Sequence, residues 1–143
     1  MKSKDIVILT PYRGQARELQ VKLQARFPSH HRIRFEGDDA IRISTVDNFQ
    51  GDESNIILLS LVRANQIVTM GFSAFPQRMN VMFSRARNQM IVFGHIQTMV
   101  HGDKDNYMYP FLLQQDQAEA IWEATHSEWK KISLDSKNLI MNR

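Results

Sequence analysis

Two short segments of this chain concentrate residue types that could do chemistry. The first is Asp47-Asn48-Phe49-Gln50-Gly51-Asp52-Glu53, a glycine set among amide and carboxylate side chains. A glycine lets the backbone approach a ligand closely, and a carboxylate accepts hydrogen bonds from hydroxyl groups. The second is Ser84-Arg85-Ala86-Arg87, two arginines separated by one small residue, with the apolar run Met90 to Phe93 close behind. Guanidinium groups match phosphate oxygens in charge and in their forked geometry. Taken singly, neither segment is specific. A glycine turn between strands is common, and arginines most often belong to a solvated basic face.

The bulk composition narrows the classes. The chain has 143 residues, 43% apolar and 23% charged, as in a folded globular protein rather than a disordered one. A chain of this length can bury roughly two-thirds of its unfolded surface. Apolar runs such as Ile56-Ile57-Leu58-Leu59 are far too short to span a bilayer. No small-residue cleavage site follows the run Ile6 to Leu9, which argues against a signal peptide and for an intracellular protein, in cytoplasm or nucleus. The absence of cysteine excludes disulfides, thiolate zinc sites and cysteine nucleophiles. The five histidines show no metal-ligand spacing. Net charge is +3 but uneven: residues 1–100 carry 13 Lys+Arg against 8 Asp+Glu, and residues 101–143 carry 5 against 7.

The elements that must position these segments follow from periodicity. Asp5 to Leu9 predicts a strand buried on both faces. Thr10-Pro11-Tyr12-Arg13-Gly14 breaks it, and Leu19, Leu23 and Phe27 recur at helical spacing over residues 15–27. Arg32 to Phe35 reads as a short strand, Ile41 to Val46 as an alternating one, and Asn55 to Val62 as a central one. Arg63 to Phe75 reads as a loop, with Phe72 and Phe75 as loop anchors or domain-interface residues rather than base platforms. Gln77 to Arg87 predicts a helix, Gln89 to Gly94 a buried strand, and Tyr107 to Gln115 a short helix. Asp116 to Lys131 predicts a further helix, with Trp122 and Trp129 as a packing stripe. Strands alternating with helices imply an α/β fold, a mostly parallel sheet with helices on both faces in three layers. Ligands of such sheets bind beyond the carboxyl ends of the strands, where residues 10–15, 45–53 and 63–72 are expected.

Together the segments resemble two motifs of superfamily-1 helicases. The approximate patterns V-D-x-F-Q-G-x-E-x-x-x-I-[IL]-x-S-x-V-R and R-x-N-V-x-x-[ST]-R-A-[RK] are matched at every fixed position, by residues 46–63 and 78–87. Thr10-Pro11-Tyr12-Arg13-Gly14-Gln15 is similar to the T-P-Y-x-x-Q turn after the first strand of the second RecA-like domain in the same helicases. The resemblance covers about residues 5–100, and is strongest to the branch with NFX-type zinc-finger, nonsense-mediated-decay and senataxin-like helicases. The departures are as specific. No G-x-x-x-x-G-K-[ST] is present, since none of the six glycines precedes a lysine, and no apolar strand ends in a magnesium-holding Asp-Glu pair. The family's Q-Y-R motif is missing too. The resemblance therefore implies the second RecA-like domain alone, over residues 1–115, with residues 116–143 a C-terminal helix and tail of unknown role. The chain is then a fragment, a separately encoded half or a truncated product.

In such helicases ATP and Mg²⁺ bind between two RecA-like domains, the first supplying the phosphate loop and magnesium ligands. The resemblance implies that Arg85 is the arginine finger of the catalytic step, and that Gly51, Glu53 and Gln50 approach ATP. Arg87 is expected at the ATP site as a supporting group, with Asp47 as a candidate partner. Thr10, Pro11, Tyr12, Thr45 and Arg63 are expected on the single-stranded RNA or DNA side, with Asn65 following the same central strand. The implied partners are a first RecA-like domain and a nucleic-acid strand, with no membrane. The alternative is a RecA-like module without enzymatic activity that binds nucleic acid or a partner.

Overall fold

The computed structural model describes residues 2–27, 40–61, 76–101, 108–124, 127–131 and 133. A four-stranded sheet organises them: β1 (Ile6–Thr10), β2 (Arg42–Thr45), β3 (Ser54–Ser60) and β4 (Ala86–Phe93), in the order β2-β1-β3-β4, with every described pairing parallel. The expected strands at residues 5–9 and 55–62 are thus the two inner strands. Their unbroken apolar character follows, because a parallel inner strand is covered on both faces.

Helix α1 (Arg13–Arg26) packs against β1 and β2. Helix α2 (Pro76–Phe83) joins β3 to β4 and turns Met79 and Met82 into the core. The chain steps along the sheet in opposite directions in these two crossovers. Right-handed connections then place α1 and α2 on opposite faces, completing three layers. The core lies on the α2 face, where Val7, Leu9, Ile57 and Leu59 meet Met79, Met82, Met99, Val100, Met108 and Leu112. The last four come from α3 (Ile96–His101) and α4 (Met108–Gln117). The α1 face is thinner: Leu19 and Leu23 are only half-buried, and α1 buries no residue completely.

Four expectations are corrected. The helix over 77–87 stops at Phe83, because pairing with β3 begins at Ala86. Arg85 therefore lies in the turn and Arg87 in a strand. The strand after it is not buried. β4 is an outer strand of the sheet, leaving Ile91 41% and Phe93 43% exposed.

The helix over 116–131 does not form. Glu119, at φ 53°, closes α4 in the left-handed conformation, with its N–H donating to Asp116 O and that of Ala120 to Gln115 O. This is the paired hydrogen-bond pattern that commonly terminates helices. Beyond it, β5 (Trp122–Ala124) pairs antiparallel with β6 (Trp129–Lys131). The fourth correction concerns Trp122 and Trp129, which are not a packing stripe. They stand exposed on this hairpin, where Phe93 meets Trp129 at 6.5 Å between centroids with the rings at 64°, and Lys131 Nζ stands 5.9 Å from the Trp122 ring centroid. The expected strand at Arg32–Phe35, the loop at 63–75 with Phe72 and Phe75, and the tail after Ser133 lie outside the described residues.

Candidate nucleotide site at the amino ends of the strands

β2 ends at Thr45, on the carboxyl side of the sheet, and β3 starts at Ser54, on the amino side. The intervening residues therefore carry the chain from one end of the sheet to the other. A 3-10 turn, Asp47–Phe49, begins the crossing and buries Phe49 to 1% exposure. Gly51 then turns at φ 88°, a left-handed conformation that side chains with a Cβ resist. Gln50, Gly51, Asp52 and Glu53 are all exposed beyond this point. The expectation that residues 45–53 sit together beyond the carboxyl ends holds only for their start. Residues 50–53 arrive at the opposite end.

The amino end of β3 is fixed there by Asp5. Ser54 Oγ donates to the Asp5 carbonyl at 2.9 Å, and Asn55 Nδ2 to Asp5 Oδ1 at 3.3 Å. The Lys2 backbone N–H also donates to this carboxylate, and that bond first, with the Asn55 side chain after it, holds the Asp5 carboxyl below its ordinary range.

The second motif arrives at the same place. The Ser54 N–H donates to Arg85 O at 3.0 Å, and Arg85 Nη1 donates back to Asp52 O at 3.4 Å. Arg85 Nε donates to Val81 O at 2.9 Å, and Nη2 to Ser84 Oγ at 3.1 Å. Arg85 is half-buried as a residue, and its guanidinium is aimed by neutral oxygens. Among the described residues no carboxylate forms an ion pair with it.

Between Ser54/Ala86 and Ile56/Gln89 the β3–β4 register slips, leaving an extra residue on β4. Such a bulge re-aims the side chains within it. Arg87 lies in this stretch and donates from Nε to Glu53 Oε2 at 3.0 Å. Its partner is therefore Glu53 rather than Asp47.

From the other side of the sheet, Arg42 Nη1 reaches Asp52 Oδ2 at 2.7 Å. A concavity of about 730 Å³ opens among these groups, its wall including Lys4, Arg42, Gly51, Asp52, Glu53 and Arg87. Neither Arg42 nor Asp52 was singled out from the sequence. The one available signal was the placement of Arg42 between Ile41 and Ile43, an outward position on an alternating strand.

The residues expected to meet nucleic acid lie apart, at the carboxyl ends of β1 and β2. Thr10, Pro11 and Thr45 are buried. The Thr10 hydroxyl lies 3.5 Å from the Tyr12 N–H, and that of Thr45 accepts the Asn48 N–H at 3.3 Å. Both hydroxyls serve the turns that follow their strands. Tyr12 is half-buried. Arg63 and Asn65 lie outside the described residues. The sheet thus separates the two sets of residues by its full strand length.

This fold and these juxtaposed motifs define a RecA-like domain of the helicase type. A family model described as an AAA domain matches residues 1–97. The chain belongs to that family, within the Upf1-like branch of superfamily-1 helicases. It is 35% identical over 111 residues to the Regulator of nonsense transcripts 1 homolog of Drosophila melanogaster, covering 78% of this chain and 9% of that protein. It is 36% identical over 94 residues to the DNA polymerase alpha-associated DNA helicase A of Saccharomyces cerevisiae, covering 66% and 12%. It is 32% identical over 131 residues to the ATP-dependent helicase upf1 of Schizosaccharomyces pombe, covering 92% and 13%. The chain thus spans about a tenth of the length of these relatives.

Proposed function

We propose that this chain is the second half of an ATP-driven nucleic-acid motor, with Arg85 as the arginine that reaches the transferring phosphoryl group. One observation carries the reading. The Arg85 guanidinium is oriented by the carbonyls of Val81 and Asp52 and pairs with no described carboxylate, beside the exposed Gly51 turn. A cation held by neutral oxygens keeps its charge available to an anion. Charge that develops on a transferring phosphoryl group is stabilised by such a guanidinium.

ATP fits the remaining residues. Gly51 offers backbone without a Cβ, and nothing lies within 4 Å of where one would stand. Glu53 offers a carboxylate for ribose hydroxyls, and Gln50 stands exposed beside them. Glu53 and Arg87 now satisfy each other, so either one meets nucleotide only after their pair opens. The pair is half-exposed, and opening it costs at most about 1 kcal/mol. Among the described residues no group of side chains fits magnesium. The two carboxylates at the site, Asp52 and Glu53, each face an arginine. In this reading the ion belongs to a first RecA-like domain. Single-stranded RNA or DNA would run along the other end of the sheet, at Tyr12 and the main chain around it.

The test joins this chain to a first RecA-like domain that carries a phosphate loop, and measures single-turnover ATP hydrolysis. Arg85→Ala is expected to lower the rate by roughly a hundredfold or more, the scale of a lost finger. ATP affinity should change much less. Lysine at position 85 should rescue poorly, because a point charge does not reproduce the planar fork. An undiminished rate in Arg85→Ala would remove Arg85 from the reaction.

A further inference from the structure

A further arginine, which neither motif contains, reaches the same turn from strand β2. We propose that Arg42 is a positioning residue: it anchors the Asn48–Asp52 turn to the outer strand β2 and through Asp52 holds Arg85 in place. The inference rests on the nucleotide reading above for its purpose, but not for its geometry.

Three contacts converge on one side chain. Arg42 Nη1 donates to Asp52 Oδ2 at 2.7 Å, and Nη2 makes a longer contact of 3.5 Å with Asn48 O. The guanidinium carbon stands 4.9 Å from the centroid of the Phe49 ring. Phe49 is 1% exposed and belongs to the core, so the cation rests on a fixed platform. Arg42 therefore grips the turn on both sides of Gly51, before it at Asn48 and after it at Asp52.

Gly51 needs that grip. It is exposed, free of nearby atoms on its Cβ side, and of the residue type with the largest conformational freedom to lose. Two main-chain bonds help, from Gln50 N to Asp47 O at 3.4 Å and from Asp52 N to Phe49 O at 3.2 Å. Both lie within the turn and tie it to nothing else. The Asn48 N–H, accepted by Thr45 Oγ1, ties the start of the turn to β2, and Arg42 ties it to the same strand beyond Gly51, at Asp52.

Asp52 passes the restraint on, because its carbonyl accepts from Arg85 Nη1 at 3.4 Å. The connection thus runs from the buried Phe49 ring to Arg42, from Arg42 to Asp52, and from Asp52 to the finger. The neighbouring carboxylate does something different. Glu53 is held by Arg87 from the opposite outer strand, and in the nucleotide reading that pair opens. Two consecutive carboxylates are therefore gripped by arginines from the two edges of the sheet, one as an anchor and one as an exchangeable pair.

The experiment uses the full chain, with backbone and arginine-side-chain NMR, amide hydrogen exchange, and titration with ADP. The variants are Arg42→Ala, Arg42→Lys, Asp52→Asn, and the exchanged pair Arg42→Asp with Asp52→Arg. Arg42→Ala should speed amide exchange at Gln50 to Glu53 by roughly tenfold, the scale of one half-exposed ion pair plus one cation–π contact. Amides of β1 and β3 should stay protected, and the Arg85 Nε–H signal should shift although Arg85 is untouched. Asp52→Asn should move the same signals without altering the Phe49 contact. Arg42→Lys should recover only part of the protection, since it lacks the fork and the flat face. The exchanged pair should recover more than either of its single changes. Unaltered loop exchange and an unmoved Arg85 signal in Arg42→Ala, with the fold intact, would overturn the inference. ADP separates it from the reading it serves. If the chain joined to a first RecA-like domain shows no ADP-dependent shift at Gly51 or Glu53 while Arg42→Ala still loosens the loop, the nucleotide reading fails and the anchor stands.

Discussion

Arg87 donates to Glu53 across 34 residues of sequence, at 3.0 Å, so two residues expected to meet the same nucleotide meet each other instead. The pair joins the glycine turn to the outer strand β4. Its side chains keep 62% and 51% of their exposure, which identifies it as a contact that solvent competes for.

That exposure sets the size of its contribution to folding. Arg87→Ala and Glu53→Gln are each expected to lower stability by less than about 1 kcal/mol, the ordinary limit for a surface ion pair. The double variant should lose little more than either single one. Urea unfolding of the four proteins gives the coupling energy directly. A coupling above about 2 kcal/mol would mean the pair is a structural clamp rather than an exchangeable one.

The isolated chain is expected to show no ATP turnover. It has no G-x-x-x-x-G-K-[ST] segment, and its two carboxylates at the site are paired with arginines. Phosphate release measured against protein concentration checks this. Turnover proportional to concentration and abolished by Arg85→Ala would contradict the half-site reading.

Gly51→Ala should destabilise the chain through backbone strain alone. The residue sits at φ 88° and the added methyl meets no atom within 4 Å. Forcing an L-residue with a Cβ into this region costs about 1–2 kcal/mol. Asparagine, which tolerates left-handed backbone better, should cost less than alanine. Thermal unfolding of both variants decides it, and equal small losses would place the turn in another conformation.

Binding to single-stranded nucleic acid by the chain alone should be weak and fall steeply with added salt, since phosphate contacts dominate such binding. Fluorescence anisotropy with a labelled homopolymer across a salt series is the measurement. Tight binding that ignores salt would indicate a dedicated recognition module instead.

Asp5 should titrate below the ordinary carboxylate range, because Lys2 N–H and then Asn55 donate to its charged form. A carboxyl with a lowered folded pKa stabilises the fold above its unfolded pKa, and that contribution is lost as pH falls through the folded one. NMR titration of the carboxyl carbon should show the shift, and Asn55→Ala should bring it part of the way back. A midpoint at the ordinary value would mean that these bonds do not persist in solution.

What the sequence determined by itself was local or written in fixed spacing. The inner strands at Ile6–Thr10 and Ser54–Ser60 were legible because a doubly covered strand must be apolar throughout. The motifs around Gly51 and Arg85 were legible because residues 46–63 and 78–87 match the helicase patterns at every fixed position.

Tertiary structure decided the rest. The helix expected through Arg87 ended at Phe83, because hydrogen bonding to β3 outcompeted helical propensity from Ala86 onward. Trp122 and Trp129, seven residues apart, suggested a helix face. The left-handed turn at Glu119 and the pairing of Ala124 with Trp129 placed them on a hairpin instead. Above all, no spacing could reveal that Asp52 would pair with Arg42 and Glu53 with Arg87. Those partners come from the two outer strands. Their approach depends on strand order and on the register slip in β4, which exist only once the sheet has formed.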